Sequence, residues 1–339
     1  MAFPPPKLIF GAGLFTEDNG IKPAKDVQPW LEVLLQNKPL VNEVDTAFVY
    51  QTSEVFLGEL QFPSHFAIGT KLPGGISPQP SSKEVIIAQA KESLRKLGSE
   101  QIDILCFHGP DVRAPLEDTL SGFDTLYKEG AFKRFGLANH TAEQVEEVFE
   151  VCKDKGFVLP TVFEASYSAF ARLPEGTLFP VLRKHKMAIK AYSPSAGGFL
   201  AKTSAQFQGE QESLKGGRWD KGSFLGGCYQ FIYNHPGALA TLDKWHEIAA
   251  AAGISGVEMA YRWVVHNSAL DGSLGDGVVL GASSIAQFKS NLEAIQKGPL
   301  DEETAAKIDA LWTPGVNSIL DNWQAVQGMM AAKQKAATQ

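Results

Sequence analysis

The sequence predicts an α/β fold of the (β/α)8 TIM-barrel type. Short segments rich in aliphatic residues recur eight times along the chain, and helical patterns separate them. Such alternation is typical of parallel βαβ units, and eight strands favour a closed barrel over an open doubly wound sheet. The chain has 339 residues, of which 44% are hydrophobic. It can therefore bury one large core, and barrels of this size commonly form a single domain.

Several of the eight candidate strands are apolar on both faces, as in the segment IDILCF. A parallel barrel strand needs this pattern because helices cover one of its sides and a packed interior covers the other. The predicted strands are Leu8 to Gly11, Val41 to Thr46, Phe66 to Lys71, Ile102 to His108, Lys133 to Asn139, Thr161 to Ala165, Ala188 to Ser193 and Val278 to Ser283.

The helical patterns between the strands have recognisable ends. Ser82 is placed to cap a helix that Gly98 would end, and Thr141 with Gln144 forms a capping-box pattern. These signals fix the order of strands and helices in the predicted barrel.

The interval between the seventh and eighth strands is far longer than the others. It contains the stretch GGRWDKGSFLGGCYQFIY, followed by helical patterns around Lys244 to Ala252 and Val257 to Asn267. We predict a long loop after strand 7, and long loops at this face of a barrel are usually functional. The segment after Asp301 predicts a C-terminal closing helix. We expect one barrel domain over residues 1–330 and a disordered tail over 331–339.

Composition narrows the class of partner. A net charge of −7 and a pI near 5.6 leave no basic surface for nucleic acid, and no segment has the length and apolarity of a membrane span. Three widely spaced cysteines are typical of reduced thiols, and the amino-terminal segment lacks a signal-peptide pattern. We therefore expect a cytoplasmic protein with a small-molecule partner. The sequence leaves the oligomeric state open.

Polar residues close most of the predicted strands. They are Asp45, Lys71, His108, Asn139, Glu164, Tyr192 and Ser283, with Tyr50 just after the second strand. Each alone is more often a turn, core or solvated residue. The chemistry of a barrel enzyme, however, is located at the carboxyl ends of its strands, so their convergence favours a catalytic site.

Four of these residues suit the reduction of a carbonyl group. A tyrosine is a weak acid at neutral pH, but a nearby ammonium stabilises its phenolate, and an aspartate can orient that ammonium. No side chain donates hydride, so the reaction would need a nicotinamide or flavin cofactor. We therefore expect Tyr50, Lys71, Asp45 and His108 to form a reductase site.

The motifs around these residues resemble those of the aldo-keto reductase superfamily. VDTAFVY, IGTK and CFHGPD match the family's catalytic motifs in order and spacing, and KRFGLANH, AYSPSAGGFL and VVLGASSIAQFKSN are similar to its cofactor motifs. The segment LPTVFEASYSAF resembles the branch of aflatoxin-aldehyde and succinic-semialdehyde reductases. The similarity runs from about Leu8 to the last helix.

The resemblance implies a role for each matching residue. Tyr50 would be the general acid, Lys71 and Asp45 would tune it, and His108 would place the substrate carbonyl. The cofactor residues implied are Asn139, Glu164 and Tyr192 at the nicotinamide, Ser193, Gly198 and Leu200 along the pyrophosphate, and Ser283, Ser284, Gln287 and Asn291 at the adenosine end.

This chain departs from the family pattern at three positions. Ala138 stands where the family commonly has Ser, Glu164 where it commonly has Gln, and Gln287 where many relatives have Arg. An arginine would pair with the 2′-phosphate of NADPH, but Lys289 or Lys202 would compensate. The expected cofactor is NADPH. No metal is expected, because Ala250 replaces the second histidine that a zinc-protease helix would need after His246.

The resemblance implies reduction of aldehydes or reactive ketones, but it leaves the substrate open. Phe15, Arg218 and Trp219 are candidate residues of the substrate pocket, since such pockets combine apolar walls with a few polar groups. The alternative function is that of a cofactor-sensing binding module that resembles potassium-channel β subunits, relatives that retain the same four catalytic residues.

Overall fold

A computed structural model describes residues 4–209, 211–215 and 217–312 and shows a closed barrel of eight parallel strands in chain order. The strands are β1 (Lys7–Gly11), β2 (Val41–Asp45), β3 (Ala67–Leu72), β4 (Ile102–Phe107), β5 (Phe132–Ala138), β6 (Val162–Ser166), β7 (Ala188–Tyr192) and β8 (Gly277–Leu280). The barrel closes where β1 pairs with β8, with Leu8 opposite Val278. The predicted fold class is confirmed.

Helices connect the strands and cover the outside of the barrel. They are α1 (Gln28–Gln36), α2 (Ser53–Glu59), α3 (Lys83–Leu97), α4 (Leu116–Lys128), α5 (Ala142–Lys155), α6 (Leu173–Gly176), α7 (Phe179–Lys184), α8 (Ser204–Gln208), α9 (Phe224–Tyr233), α10 (Pro236–Ala251), α11 (Gly256–Arg262), α12 (Ile285–Gln296) and α13 (Glu302–Ala310). The segment between β7 and β8 contains α8 to α11. None of the helices in the described ranges is long and apolar enough to cross a membrane.

The predicted helix ends are confirmed. Ser82 accepts a hydrogen bond from the backbone N–H of Val85 at the start of α3, and Gly98 ends that helix with a φ of 59°. The side chains of Thr141 and Gln144 form the predicted capping box at the start of α5. These caps satisfy backbone groups that a helix end leaves unpaired.

Five strands end earlier than predicted: β2 and β4 end one residue before Thr46 and His108, and β5, β7 and β8 are also shorter. Asn139 has a φ of 60° and Ser193 a φ of 58°, and this left-handed conformation cannot continue a strand. The strands β5 and β7 therefore end one residue before them. The strand β8 ends at Leu280, so Ser283 lies in the loop that leads into α12.

The large apolar core lies between the barrel and its helices, and the barrel interior differs from it. Inside the barrel, Ile104, Cys106 and Val162 form a separate small apolar cluster. The charged residues Glu43, Asp45, Lys71, Glu164 and Lys190 are also buried. Their burial follows from the strand period, because alternate side chains of each strand point inward. Single-domain organisation over residues 1–330 stays a prediction, because residues 313–330 and the tail 331–339 lie outside the described residues.

Candidate active site

The structure brings the four predicted catalytic residues together at the carboxyl ends of neighbouring strands. Asp45 ends β2, Lys71 lies near the end of β3 and His108 directly follows β4. Tyr50 lies edge-on to His108, with ring centroids 6.1 Å apart. The Lys71 Nζ is 5.8 Å from the centroid of the Tyr50 ring. A phenol, an ammonium and an imidazole thus face one site.

Lys71 is the centre of a buried ion cluster. Its Nζ lies 2.6 Å from both carboxylate oxygens of Asp45 and 2.8 Å from the carbonyl oxygen of Thr46. The Oε2 of Glu164 lies 3.0 Å from the same nitrogen. An ammonium has three hydrogens, so these acceptors engage all of them. We call Lys71, Asp45 and Glu164 the rim cluster.

The rim cluster keeps the lysine charged. Burial opposes a charge on Lys71, but Asp45 and Glu164 outweigh burial and raise the pKa of the ammonium well above its usual value. Burial, and then the charge of Glu164, raise the pKa of Asp45 well above the usual range of a carboxyl group. Lys71 therefore acts on its surroundings as a fixed positive charge with two carboxyl neighbours.

The Tyr50 phenol is a proton donor in this environment. Burial raises its pKa, and Lys71 opposes that shift without reversing it. Lys71 therefore lowers the pKa of Tyr50, as the sequence predicts, but burial raises it by more. The net shift of this pKa is upward, opposite to the one expected from the sequence. Tyr50 stays protonated at neutral pH, which is the form that a general acid needs.

His108 is neutral in this site. Burial, and then the positive charge of Lys71, lower the pKa of its imidazole to about 3. Its Nδ1 is buried and has no hydrogen-bond partner among the described residues. A neutral imidazole can donate one hydrogen bond, for example to a carbonyl oxygen, without competing with Tyr50 as an acid.

Asn139 and Tyr192 extend the site along the rim. The Nδ2 of Asn139 donates to the carbonyl oxygen of His108 at 2.7 Å. The Tyr192 hydroxyl donates to the Oδ1 of Asn139, also at 2.7 Å. Asparagine tolerates the left-handed backbone found here better than most residues. These bonds hold the Asn139 amide beside His108.

Glu164 contacts Lys71. It lies within β6 rather than at the end of the strand, is 1% exposed, and its Oε1 lies 3.6 Å from the Cys106 sulfur. Glu164 was predicted to bind the cofactor, and the structure places it directly against Lys71.

The loop after β7 has a sharply turned backbone. Ser193, Gly197 and Gly198 have positive φ values, and Leu200 is fully buried. A Cβ at Gly197 would lie 2.3 Å from the Tyr229 ring, so only glycine allows α9 to pack this closely. The Tyr229 phenol in turn interacts electrostatically with Tyr50. The long segment therefore reaches the catalytic residues.

The predicted adenosine-end residues surround the start of α12. Ser284 caps the helix by accepting from the backbone N–H of Gln287. The Oε1 of Gln287 accepts from the backbone and the hydroxyl of Ser283, at 2.7 and 2.9 Å. Asn291 is 2% exposed, and its Nδ2 has no partner among the described residues. A helix start with hydroxyl and amide groups beside it can bind an anion.

The three predicted pocket residues differ in exposure: Phe15 and Trp219 are buried, whereas Arg218 is exposed. Phe15 is fully buried and packs against Phe10 and Trp30 in the core. Trp219 is 3% exposed, and its Nε1 donates to the carbonyl oxygen of Gly197. Trp219 therefore supports the loop after β7. Arg218 is exposed and interacts electrostatically with Tyr261.

Sequence reasoning missed Tyr261 and Lys190. The Tyr261 hydroxyl donates to the carbonyl oxygen of Gly281 at 3.0 Å and also bonds with Ser195, which joins the loops after β7 and β8. Tyr261 lies in a segment with an ordinary helical pattern, and nothing in that pattern indicates that its hydroxyl reaches the site. Lys190 had a signal: it lies two residues before Tyr192 and therefore shares its face of the strand. In the described ranges, no group of three His, Cys, Asp or Glu side chains is arranged to hold a metal ion.

Comparison with known proteins agrees with the motifs. The model of the Aldo/keto reductase family matches residues 7–313. The "Oxidoreductase sirO" of Leptosphaeria maculans is 33% identical over 316 residues, covering 91% of this chain and 94% of that protein. "Aflatoxin B1 aldehyde reductase member 4" of Homo sapiens is 36% identical over 289 residues, covering 80% of this chain and 84% of that protein. The chain therefore belongs to the aldo/keto reductase family and is an oxidoreductase.

Proposed function

We propose that this protein reduces aldehydes or reactive ketones to alcohols with NADPH, and that Tyr50 donates the proton. The observation that carries this proposal is the rim arrangement itself: a protonated phenol lies beside a charged lysine and a neutral imidazole. Relatives named as aflatoxin aldehyde reductases support aldehydes as the substrate class.

The chain's own residues would transfer the proton and orient the substrate. Tyr50 transfers its phenolic proton to the carbonyl oxygen as negative charge develops there. Lys71 stabilises the resulting phenolate through its charge, and His108 orients the carbonyl oxygen by donating a hydrogen bond. The nicotinamide, when bound, supplies the hydride to the carbonyl carbon, since no side chain does so. Solvent then returns the proton to Tyr50.

The residues present fit a nicotinamide dinucleotide. The orphaned, buried Nδ2 of Asn291 and the hydroxyl and amide groups at the start of α12 suit the polar adenosine end of such a cofactor. Asn139 and Tyr192 suit the nicotinamide end, because they present an amide and a ring beside His108. We propose the following binding set: Asn139, Glu164, Tyr192, Ser193, Gly198, Leu200, Ser283, Ser284, Gln287 and Asn291.

The choice of NADPH over NADH rests on positive side chains at the same end. Lys289 is exposed on α12, and the exposed Arg218 interacts electrostatically with Tyr261. Either can attract the extra phosphate of NADPH in the absence of an arginine at Gln287. We also propose a cytoplasmic location, where the buried free thiols of Cys106, Cys152 and Cys228 stay reduced.

The test is a titration of the purified protein with NADPH and NADH, followed by intrinsic fluorescence, and then turnover with a panel of aldehydes. We expect tighter binding of NADPH and its oxidation with 4-nitrobenzaldehyde, with the alcohol identified by chromatography. Binding without turnover of any aldehyde would contradict the reductase proposal and favour the cofactor-sensing alternative. Tighter binding of NADH would overturn the cofactor choice.

A further inference from the structure

Glu164 gives the catalytic lysine a second carboxylate from the opposite side of the barrel. Asp45 reaches Lys71 from β2, the strand next to β3, whereas Glu164 reaches it from β6. The contact is 3.0 Å long, and the Glu164 side chain is 1% exposed. A buried carboxylate held this closely contributes strongly to the local potential, because water does not screen it.

The rim cluster therefore has one carboxyl group more than its single lysine requires. Asp45 alone would balance the charge of Lys71. A neutral glutamine at position 164 would leave that balance intact. Glu164 instead adds negative charge, and its presence raises the pKa of the neighbouring Asp45.

The additional charge acts electrostatically on the Tyr50 phenol, as do several other groups. The titratable or charged groups that act on its phenol are Lys71 on β3, Asp45 on β2, Glu164 on β6 and Tyr229 on α9, with His108 edge-on after β4. Cys106 on β4 contacts Glu164, and Lys190 neighbours Glu164 in the β6–β7 register. His108 is neutral. Lys71 thus favours the phenolate, whereas both carboxylates favour the phenol.

We propose that Glu164 is a positioning residue that offsets Lys71, and so keeps the proton on the Tyr50 oxygen until a carbonyl oxygen accepts it. This inference rests on the proposed function, because it concerns the proton donor of that reaction. In reduction, the Tyr50 O–H bond breaks and the alcohol O–H bond forms as hydride reaches the carbonyl carbon. In the reverse reaction, the phenolate accepts the proton of the alcohol. Glu164 therefore keeps Tyr50 at neutral pH in the protonated form that reduction requires.

The discriminating variant is Glu164→Gln, which keeps the size and an acceptor oxygen but removes the charge. Aldehyde reduction requires the phenol and alcohol oxidation requires the phenolate. In the variant, the fall of the reduction rate and the rise of the oxidation rate with increasing pH should therefore both occur at lower pH than in the wild type. We expect a shift on the order of one pH unit, which is typical of losing a close charge. The measurement is kcat/KM against pH, with 4-nitrobenzaldehyde and NADPH in one direction and 4-nitrobenzyl alcohol and NADP⁺ in the other. Superimposable profiles for wild type and variant would overturn the proposal.

A matched control separates this local effect from a change in net charge. Glu146→Gln removes a carboxylate that pairs with Lys184 and His185 outside the barrel. Its profiles should superimpose on those of the wild type. A shift equal to that of Glu164→Gln would show that net charge alone moves the profile and would contradict the proposal.

A spectroscopic titration of the wild type and of Glu164→Gln keeps the inference testable independently of turnover. The near-ultraviolet absorbance of tyrosinate is followed against pH in each protein, and the same curve with Tyr50→Phe added is subtracted. We expect the Tyr50 midpoint to lie above the ordinary value of about 10 in the wild type and to be lower in Glu164→Gln, whereas equal midpoints in the two proteins would overturn the proposal. If the wild type reduces no aldehyde, the proposed function fails, but the difference between these midpoints still decides the role of Glu164.

Discussion

The barrel interior holds two buried lysine–carboxylate clusters, and they differ in charge balance and in access. The rim cluster joins Lys71 to Asp45 and Glu164 beside Tyr50. The floor cluster, near the amino ends of the strands, joins Lys190 to Glu43, which also lies 3.8 Å from Arg134, and Arg134 pairs with Asp103. The two clusters use the same chemical groups.

Their charges differ. In the floor cluster, Lys190 and Arg134 lie against Glu43 and Asp103, and Lys133 also lies 3.7 Å from Asp103. Burial, and then the charge of Lys7, lower the pKa of Lys190 to about 7. In the rim cluster, one cation faces two carboxylates, and a phenol lies close enough to respond. A buried ion pair is weak evidence for either stability or catalysis by itself. The comparison indicates that two features distinguish the rim cluster from the floor cluster: the neighbouring phenol of Tyr50 and a lysine whose pKa is raised rather than lowered.

The largest expected difference between the clusters comes from removing each lysine. Lys71→Met leaves Asp45 and Glu164 without a cation. It should lower the free energy of unfolding by about 3–5 kcal/mol, the usual cost of breaking a buried pair, and lower kcat by about 10²-fold or more. Lys190→Met should destabilise less, because Glu43 keeps Arg134, and should change kcat by less than about threefold.

Urea unfolding and steady-state turnover, measured on the same preparations, test this pair of variants. Equal losses of kcat in both would show that the two clusters do not differ in function. Both Lys71→Met and Lys190→Met are expected to lose stability, so kcat is the quantity that distinguishes the two clusters.

Much of this arrangement follows from the sequence, because the relevant residues stand near strand ends. The closed barrel, the caps at Ser82 and Thr141, and the convergence of Asp45, Lys71 and His108 all follow from strand period and local signals. The contact between Lys71 and Glu164 does not, because β3 and β6 are not neighbours in the barrel. Only the closed geometry brings them together.

The predicted pocket residues show a second limit of sequence reasoning. Aromatic residues in a glycine-rich segment line a pocket or pack the segment down, and composition does not distinguish the two. Trp219 packs against Phe199 and Phe207, so its place was decided by tertiary contacts. The direction in which the Tyr50 pKa shifts could not be predicted from the sequence either, because it depends on how deeply the side chain is buried.

A smaller, qualitative difference concerns His108, the imidazole of the rim site. Burial lowers its pKa to about 3, so it stays neutral throughout the range in which the enzyme is folded and active. We therefore expect kcat/KM for aldehyde reduction to vary less than about twofold between about pH 5 and pH 7, where an ordinary histidine would titrate. An acidic limb near pH 6.5 that disappears in His108→Asn would contradict this account.

The smallest expected effect comes from a methyl group placed between the clusters. A Cβ at Gly69 would lie 3.5 Å from the Asp45 Oδ1 and 3.7 Å from the Lys190 Nζ, which are ordinary contacts. Gly69→Ala should therefore change the free energy of unfolding by less than about 1 kcal/mol and leave kcat nearly unchanged. A large loss of kcat, measured beside urea unfolding, would show that the clusters act as one unit.

The most direct test of the central claim is the turnover of Tyr50→Phe, with cofactor affinity measured on the same sample. If the rim cluster serves to make Tyr50 the proton donor, this variant binds NADPH with nearly the wild-type Kd and reduces 4-nitrobenzaldehyde about 10²-fold more slowly or worse. Turnover close to that of the wild type would contradict the account and assign the proton to His108 or to a bound water.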